Sequence, residues 1–395
     1  MADSETPPPL FGDYYREIYA KGMLAGERPA LPIAWAELEE RARESLDERA
    51  IAYIFGGAGS EDTMRANLEA FRRWRIVPRV LRQDLSARDL SVELLGTRMP
   101  APVLMAPIGV QTLLHEEGEL ASARAAAAIG LTLITSTASA TPLEEIAEAN
   151  GDAPRWYQLY WPNDDELAAS MVRRAEAAGY SAIVLTVDNY LPGWKPRDLQ
   201  QAYLPFLEGI GIAQYLSDPV FQSGLEKPPE EDIGAAVGHF LGVFANPGLT
   251  WDRLDWLRDT TSLPVVVKGI LHPDDAREAR ERGVDAIVVS NHGGRQIDGA
   301  IASLDALPPI LDAVGDGMAV LLDSGIRSGA DIFKALALGA DAVLVGRPYL
   351  WGLALDGQNG VETVLRGLLA ELDLTMTLSG FTRTSEIDGG VLRQP

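Results

Sequence analysis

The sequence predicts an α/β fold: a closed (β/α)8 TIM barrel with an N-terminal helical extension and a long loop after its fourth strand. Three observations lead there. From residue 100 onward, short β-branched runs alternate with Ala/Glu/Arg-rich helical patterns, the rhythm of βαβ units around a parallel sheet. Eight such runs occur, where an open doubly wound sheet has about five or six. No Gly-x-Gly-x-x-Gly follows the first run, so the phosphate turn of a dinucleotide fold is missing.

In chain order, residues 1–98 read as a tail and helical extension, 99–385 as the barrel and 386–395 as a C-terminal tail. The start is acidic and Pro-rich, without the apolar core of a signal peptide. A helical pattern covers Trp35 to Tyr53 and ends at Gly56-Gly57-Ala58-Gly59; a second covers Glu61 to Arg73. The strand candidates are Val103–Ala106, Leu131–Thr135, Arg155–Leu159, Ala182–Val187, Val265–Lys268, Ala286–Ser290, Ala319–Asp323 and Ala342–Val345. About 78 residues separate strands four and five, far beyond an ordinary connection. Within that gap, Pro192 to Gly248 reads as a mobile lid on the catalytic face, with a disordered insert or an oligomer contact as the alternatives.

The net charge of −23 argues against nucleic-acid and anionic-membrane partners. An anionic small molecule stays possible, because a local Arg/Lys cluster in a dry pocket outweighs a distant field. With no cysteine, thiolate metal sites, iron–sulfur clusters and cysteine catalysis are excluded, and no metal site is expected. No segment approaches the roughly 20 apolar residues of a membrane helix, so a cytoplasmic protein is expected.

Barrel enzymes assemble their sites at the C-terminal ends of the strands, and here nearly every end is polar. Strand one ends in Ala106-Pro107-Ile108-Gly109-Val110, which lets backbone N–H groups approach a flat ligand. Strands two to five end in Thr135-Ser136-Thr137, Gln158-Leu159-Tyr160, Thr186-Val187-Asp188 and Lys268-Gly269. The sixth runs into Ser290-Asn291-His292-Gly293-Gly294-Arg295-Gln296, a base and a carboxylate clamp with little bulk between them. Asp188 is placed to orient the His292 imidazole and stabilise its protonated form. The seventh and eighth ends, Asp323-Ser324-Gly325-Ile326-Arg327 and Gly346-Arg347, each carry Gly and Arg where barrels commonly hold a phosphate. His115 and His239 are assigned to loops or helix starts and His272 to the turn after strand five, all outside the site.

With these ends in order, residues 35–385 resemble the FMN-dependent 2-hydroxy acid oxidase/dehydrogenase family. The Ser290–Gln296 motif is the most specific part, supported by Gln158-Leu159-Tyr160, Leu185-Thr186-Val187-Asp188, Val267-Lys268-Gly269 and Asp323–Arg327. The resemblance implies FMN as cofactor and His292 as the base, supported by Asp188. It implies that Tyr53 and Arg295 hold the substrate carboxylate and that Tyr160 bonds near the hydroxyl. Pro107, Ile108, Gly109, Ser136, Gln158, Thr186, Lys268 and Ser290 would contact the isoalloxazine and ribityl parts. Lys268 would also stabilise negative charge on the reduced ring. Asp323, Gly325, Arg327, Gly346 and Arg347 would hold the ribityl tail and phosphate. A homotetramer or octamer, and O₂ as electron acceptor, are implied as well.

Within the family the chain looks most like the lactate 2-monooxygenase branch, through Ala106–Val110, Gly193-Trp194-Lys195-Pro196-Arg197-Asp198 and the insert ending in Leu249-Thr250-Trp251. That branch converts lactate to acetate and CO₂. One departure stands out. Where the family has a second arginine on the substrate carboxylate, three residues before Asp198, this chain has Lys195, a point charge without the guanidinium's planar fork. Arg197 stands near enough in sequence to compensate. Gly109 leaves more room than Ala would, and Ala138 stands where glycolate oxidases carry Trp, so a larger 2-hydroxy acid is expected. The alternatives are an oxidase releasing keto acid and peroxide, a dehydrogenase using another acceptor, and a barrel that binds FMN without turnover. Phosphate-binding barrels of the IMP dehydrogenase and dihydrouridine synthase kind rely on a cysteine that is absent.

Overall fold

In the computed structural model, which describes residues 10–394, eight parallel strands close into a barrel. They are β1 (Val103–Met105), β2 (Thr132–Ser136), β3 (Arg155–Leu159), β4 (Ile183–Thr186), β5 (Val265–Ile270), β6 (Ala286–Val289), β7 (Ala319–Leu322) and β8 (Ala342–Val345). β8 closes the ring against β1, with Val343 opposite Val103. The acidic Pro-rich start falls outside the described residues.

The strands read as near-continuous apolar runs because both faces are buried. Leu104, Ile134, Trp156, Val184, Val266, Val288, Leu321 and Leu344 form one interior cluster. Their neighbours Val103, Leu133, Tyr157, Leu185, Val267 and Ile287 pack outward in the main core with the helices. The strand period of two then fixes what lies at the mouth. Two residues beyond each interior side chain come Ala106, Ser136, Gln158, Thr186, Lys268, Ser290, Asp323 and Gly346. The same period that fills the barrel with hydrocarbon thus rings its upper end with polar groups.

The other end is plugged by an antiparallel hairpin, Val92–Leu94 with Thr97–Met99, whose Leu94 and Met99 join the interior cluster. The sequence reading had not identified it.

The extension differs in detail from expectation. The pattern from Trp35 to Tyr53 is two helices, Trp35–Glu44 and Glu48–Phe55, because Asp47 caps the second by accepting the Ala50 N–H at 2.8 Å. The next helix runs Asp62–Arg72. A further helix, Tyr14–Ala25, precedes them. At the far end, Leu392–Arg393 pairs with Arg75–Ile76, and Val391 and Leu392 are buried.

The insertion after β4 is mostly helical. It contains Pro196–Gln201, Pro205–Glu208, Ala213–Leu216, Pro219–Ser223 and Ile233–Phe244. Proline at the first turn of three pieces, and Asp218 and Asp232 as N-caps of two, explain those starts. Tyr215, Phe221 and Phe240 are buried and meet edge to face, so the segment is packed rather than a disordered insert. Among the described residues no helix is long and apolar enough to cross a membrane.

Candidate active site

A cavity of about 350 Å³ opens over the barrel mouth. Its walls come from the strand ends, from Tyr53 and Ile54 of the extension, and from Leu204, Phe206, Phe240, Leu241 and Phe244 of the insertion.

On one side, the His292 Nδ1 lies 2.8 Å from Asp188 Oδ1 and its Nε2 lies 3.3 Å from the Tyr160 hydroxyl. The carboxylate partner makes Nδ1 the protonated nitrogen, leaving Nε2 with its lone pair as the acceptor. Burial pushes the imidazole below its ordinary pKa; Asp188 opposes that and nearby Lys268 reinforces it. The ring is therefore neutral near pH 7. Burial acts to raise Asp188, but His292 and Lys268 outweigh it and hold the carboxylate below its usual range. Two backbone features make the approach possible. His292 sits in the left-handed region at φ 58°. Gly269, at φ 114° and at a register shift between β5 and β6, lies where a Cβ would come within 2.7 Å of Asp188.

Lys268 is buried, ion-paired with Asp323 at 3.1 Å and bonded to Ser290 Oγ at 3.0 Å. Burial disfavours its charge, yet Asp323 and Asp188 raise its pKa overall.

Toward the insertion, Arg295 donates through Nη1 to the carbonyls of Tyr53 (2.5 Å) and Gly56 (2.8 Å), with its guanidinium 5.2 Å from the Tyr53 ring centroid. Lys195 lines the same wall. Burial, followed by the Arg295 charge, lowers its ammonium to about 8. Arg197 is elsewhere: it pairs with Glu61 at 2.7 Å and does not line the cavity. It cannot stand in for the missing arginine.

Gly325, Arg327, Gly346 and Arg347 complete the lining, and Arg347 meets Arg295 at the Gly56 carbonyl. Arg347 donates to the carbonyls of Ile54, Gly56 and Gly293, and burial drops its pKa to about 9. Arg327 stacks on Trp351 with its Nε buried and without a partner. A Cβ at Gly346 would meet nothing closer than 3.5 Å, so packing alone does not demand glycine there. Among the described residues, Lys195, Arg295, Arg327 and Arg347 have no carboxylate within ion-pair distance, although all four line one cavity. Gln158 Nε2 and Thr186 Oγ1, in the mouth layer, are likewise buried without partners. A flat ring with a phosphate tail fits the unpaired cations of the wall, whereas Gln158 and Thr186 do not themselves line the cavity.

Gly109 lines the cavity, but the expected reason for it needs correction. Its Cβ would not enter free space; it would come within 2.1 Å of the Ala138 carbonyl oxygen. Close packing of two strand-end turns requires this glycine. Ala138 itself lines the cavity.

Several supporting residues were not foreseen. Asn67 and Asn291 exchange a reciprocal amide pair at 2.9 and 2.7 Å, joining the extension to the His292 motif. Asp298 accepts from the Ser60 hydroxyl and from the Ser60 and Asp62 N–H groups, and those bonds hold its carboxyl down to about 2. Gln296 donates to the carbonyl of Asp188 and the side chain of Asn189, and accepts the Gly193 N–H, so it anchors the start of the insertion. Of these, Asn291 and Gln296 carried a signal in sequence, as part of the motif. Of the remaining histidines, His239 lies mid-helix against Phe221 rather than at a helix start, and His272 caps a helix.

Known proteins resemble this chain along most of its length. Residues 42–394 match the family model described as FMN-dependent dehydrogenase. An FMN-dependent alpha-hydroxy acid dehydrogenase of Penicillium citrinum is 44% identical over 98% of this chain and 97% of its own length. An L-lactate oxidase of Lysinibacillus sphaericus is 46% identical over 91% of each chain. A crystal structure of mandelate oxidase superposes with a TM-score of 0.81 at 40% identity, covering 92% of this chain and 98% of that one.

Proposed function

The chain belongs to the FMN-dependent 2-hydroxy acid oxidase/dehydrogenase family, and from that premise we propose that it oxidises an L-2-hydroxy acid to the 2-keto acid with O₂ as the final acceptor. One observation carries this reading. A neutral imidazole and cations lacking carboxylate partners face each other across a single cavity, so a carboxylate substrate can be held with its α-carbon beside a base.

Bound FMN supplies the two-electron acceptor. Gln158, Thr186, Ser290 and the Ile108 and Gly109 backbone would hold its ring and ribityl chain, and Arg327, Arg347 and the Gly325 and Gly346 turns would hold its phosphate. Arg295 and Lys195 take the substrate carboxylate beside Tyr53. His292 Nε2 removes the proton, and Asp188 stabilises the imidazolium that results. Tyr160, within 3.3 Å of Nε2, bonds the hydroxyl and fixes its direction. Lys268 holds a fixed positive charge at the mouth, which would stabilise negative charge on a reduced flavin ring.

The wall of Phe206, Phe240, Phe244 and Leu241 opposite Ala138 favours a bulky apolar side chain on the substrate. The insertion is tied to the body at its base, through Gly59 N–H to the Trp194 carbonyl, Arg197 to Glu61, and Gln296. Such a lid retains the keto acid. Peroxide formed beside it then attacks, giving the acid one carbon shorter, CO₂ and water, as in lactate 2-monooxygenase. The assembly is a homotetramer or octamer.

Aerobic turnover on a panel of L-2-hydroxy acids, with peroxide and CO₂ measured together, tests this. CO₂ near one equivalent supports retention; stoichiometric peroxide without CO₂ refutes it and leaves a simple oxidase. Absence of anaerobic flavin reduction by every hydroxy acid refutes the whole scheme.

A further inference from the structure

Behind the barrel mouth lies a buried carboxyl that no step above uses. Glu119 stands in the first turn of the helix Gly118–Ile129 and is 4% exposed. Its Oε1 accepts two backbone N–H groups, from Gln111 at 3.1 Å and Ala140 at 3.0 Å. These belong to the turns after β1 and β2, so one oxygen ties two strand ends together.

Gln111 carries the connection toward the cavity. Its Nε2 donates to the Ile108 carbonyl at 2.8 Å, and its Oε1 accepts the Ser122 hydroxyl at 2.6 Å. The Tyr349 hydroxyl donates to the Ala106 carbonyl at 3.0 Å, and the Val110 N–H donates to the Ala138 carbonyl at 3.0 Å. Polar groups of the β1 turn are thus engaged from behind, while the Ile108 and Gly109 N–H groups have no protein acceptor at the cavity. Val110 sits at φ 59°, a conformation a β-branched residue keeps only when its surroundings impose it.

We propose that Glu119 is a positioning residue that sets the β1 turn so that the Ile108 and Gly109 N–H groups meet the flavin ring. The proposal rests on FMN occupying the cavity. Burial raises the Glu119 carboxyl above its usual range, while the backbone N–H groups it accepts act to lower it. An amide can do the same work, since its carbonyl oxygen accepts both N–H groups.

The test is FMN titration of the apoprotein by flavin fluorescence, together with the visible spectrum of the reconstituted enzyme. Glu119→Gln should keep the wild-type Kd and spectrum. Glu119→Ala, losing two buried acceptor contacts, should raise the Kd about 10-fold or more and shift the visible bands. Gln111→Ala, which leaves Glu119 and both of its backbone bonds in place, should weaken FMN and shift the bands in the same direction; it decides the matter where Glu119→Ala does not fold. Unchanged Kd and spectrum in Gln111→Ala, or in a folded Glu119→Ala, would overturn the proposal, as would a Glu119→Gln enzyme as impaired as Glu119→Ala. Failure of the wild-type chain to bind FMN is a separate result that strikes the cavity assignment itself.

Discussion

Lys195→Arg isolates the lysine that lines the cavity beside Arg295. The Lys195 ammonium is lowered to about 8 by burial and by the Arg295 charge, and it has no carboxylate within ion-pair distance. Its positive charge is present below that value and disappears as pH rises through it. Binding of a substrate carboxylate therefore weakens on the alkaline side. With a pKa near 8, about nine-tenths of the enzyme is protonated at pH 7 and about one-tenth at pH 9, a roughly 10-fold fall in kcat/KM. The acid limb has a different owner: His292 must be neutral, and its lowered pKa puts that limb below about 6.5. A guanidinium starts about two units above an ammonium, so Lys195→Arg should push the alkaline limb up beyond the assayed range and leave the acid one in place. It should also lower KM for small 2-hydroxy acids, because the fork adds a second hydrogen bond worth about 1.5 kcal/mol, or roughly 10-fold. The assay is kcat/KM between pH 5.5 and 9.5 for lactate and a bulkier hydroxy acid. An alkaline limb of the same position in both enzymes refutes the assignment to Lys195.

His292→Ala should slow anaerobic flavin reduction by about 100- to 10,000-fold while the protein stays yellow; a loss under tenfold, measured by stopped flow, excludes it as the base. Phe244→Ala should cut kcat/KM for 3-phenyllactate about 10-fold and leave lactate within a few-fold, since only the larger substrate reaches that wall. Equal losses on both would show that the aromatic wall supports the lid and does not select. Arg327→Ala should weaken FMN by about 10- to 100-fold with little change in the melting temperature of the apoprotein, whereas Arg347→Ala should lower that temperature as well, because Arg347 bonds three backbone carbonyls. Matching apoprotein melting curves for the two would contradict this division.

The eight strands and the ring of mouth residues were legible because a single local rule generates both. A strand with alternating faces puts Gln158 above Trp156, Lys268 above Val266 and Ser290 above Val288, and that order can be read directly from the chain. The connections that hold the ring in shape obey no local rule. Asn67 meets Asn291 across 224 residues, and Asp298 reaches Ser60 across 238. Nothing in the helix pattern around Asn67 distinguishes a polar residue that faces solvent from one that is 2% exposed and fully bonded. The insertion was underestimated for a related reason. Most of its helices are too short for a clear apolar period, and their Pro and Asp residues stand at helix starts, where each satisfies a free N–H or needs none.

Gly109 shows how a correct residue can be given the wrong cause. Sequence reasoning treats a glycine at a binding surface as space for the ligand. Here the missing Cβ faces the Ala138 carbonyl, so the glycine serves the contact between the first two strand-end turns. The same contact passes through Val110 to the Glu119 network, and it fixes the height at which the Ile108 and Gly109 N–H groups stand over the cavity. Room for a larger substrate must then come from Ala138 and the Phe206–Phe240–Phe244 wall. Charge follows the same logic. A protein with net charge −23 places Lys195, Arg295, Arg327 and Arg347 around one cavity with no carboxylate in ion-pair contact, although Asp198 shares the wall with Lys195 and Arg295, and burial lowers the pKa of Lys195 and Arg347. Such a concentration of buried cations is costly until an anion arrives. The phosphate and carboxylate that bind there are the missing counter-ions, which makes affinity for both an outcome of how the barrel mouth is charged.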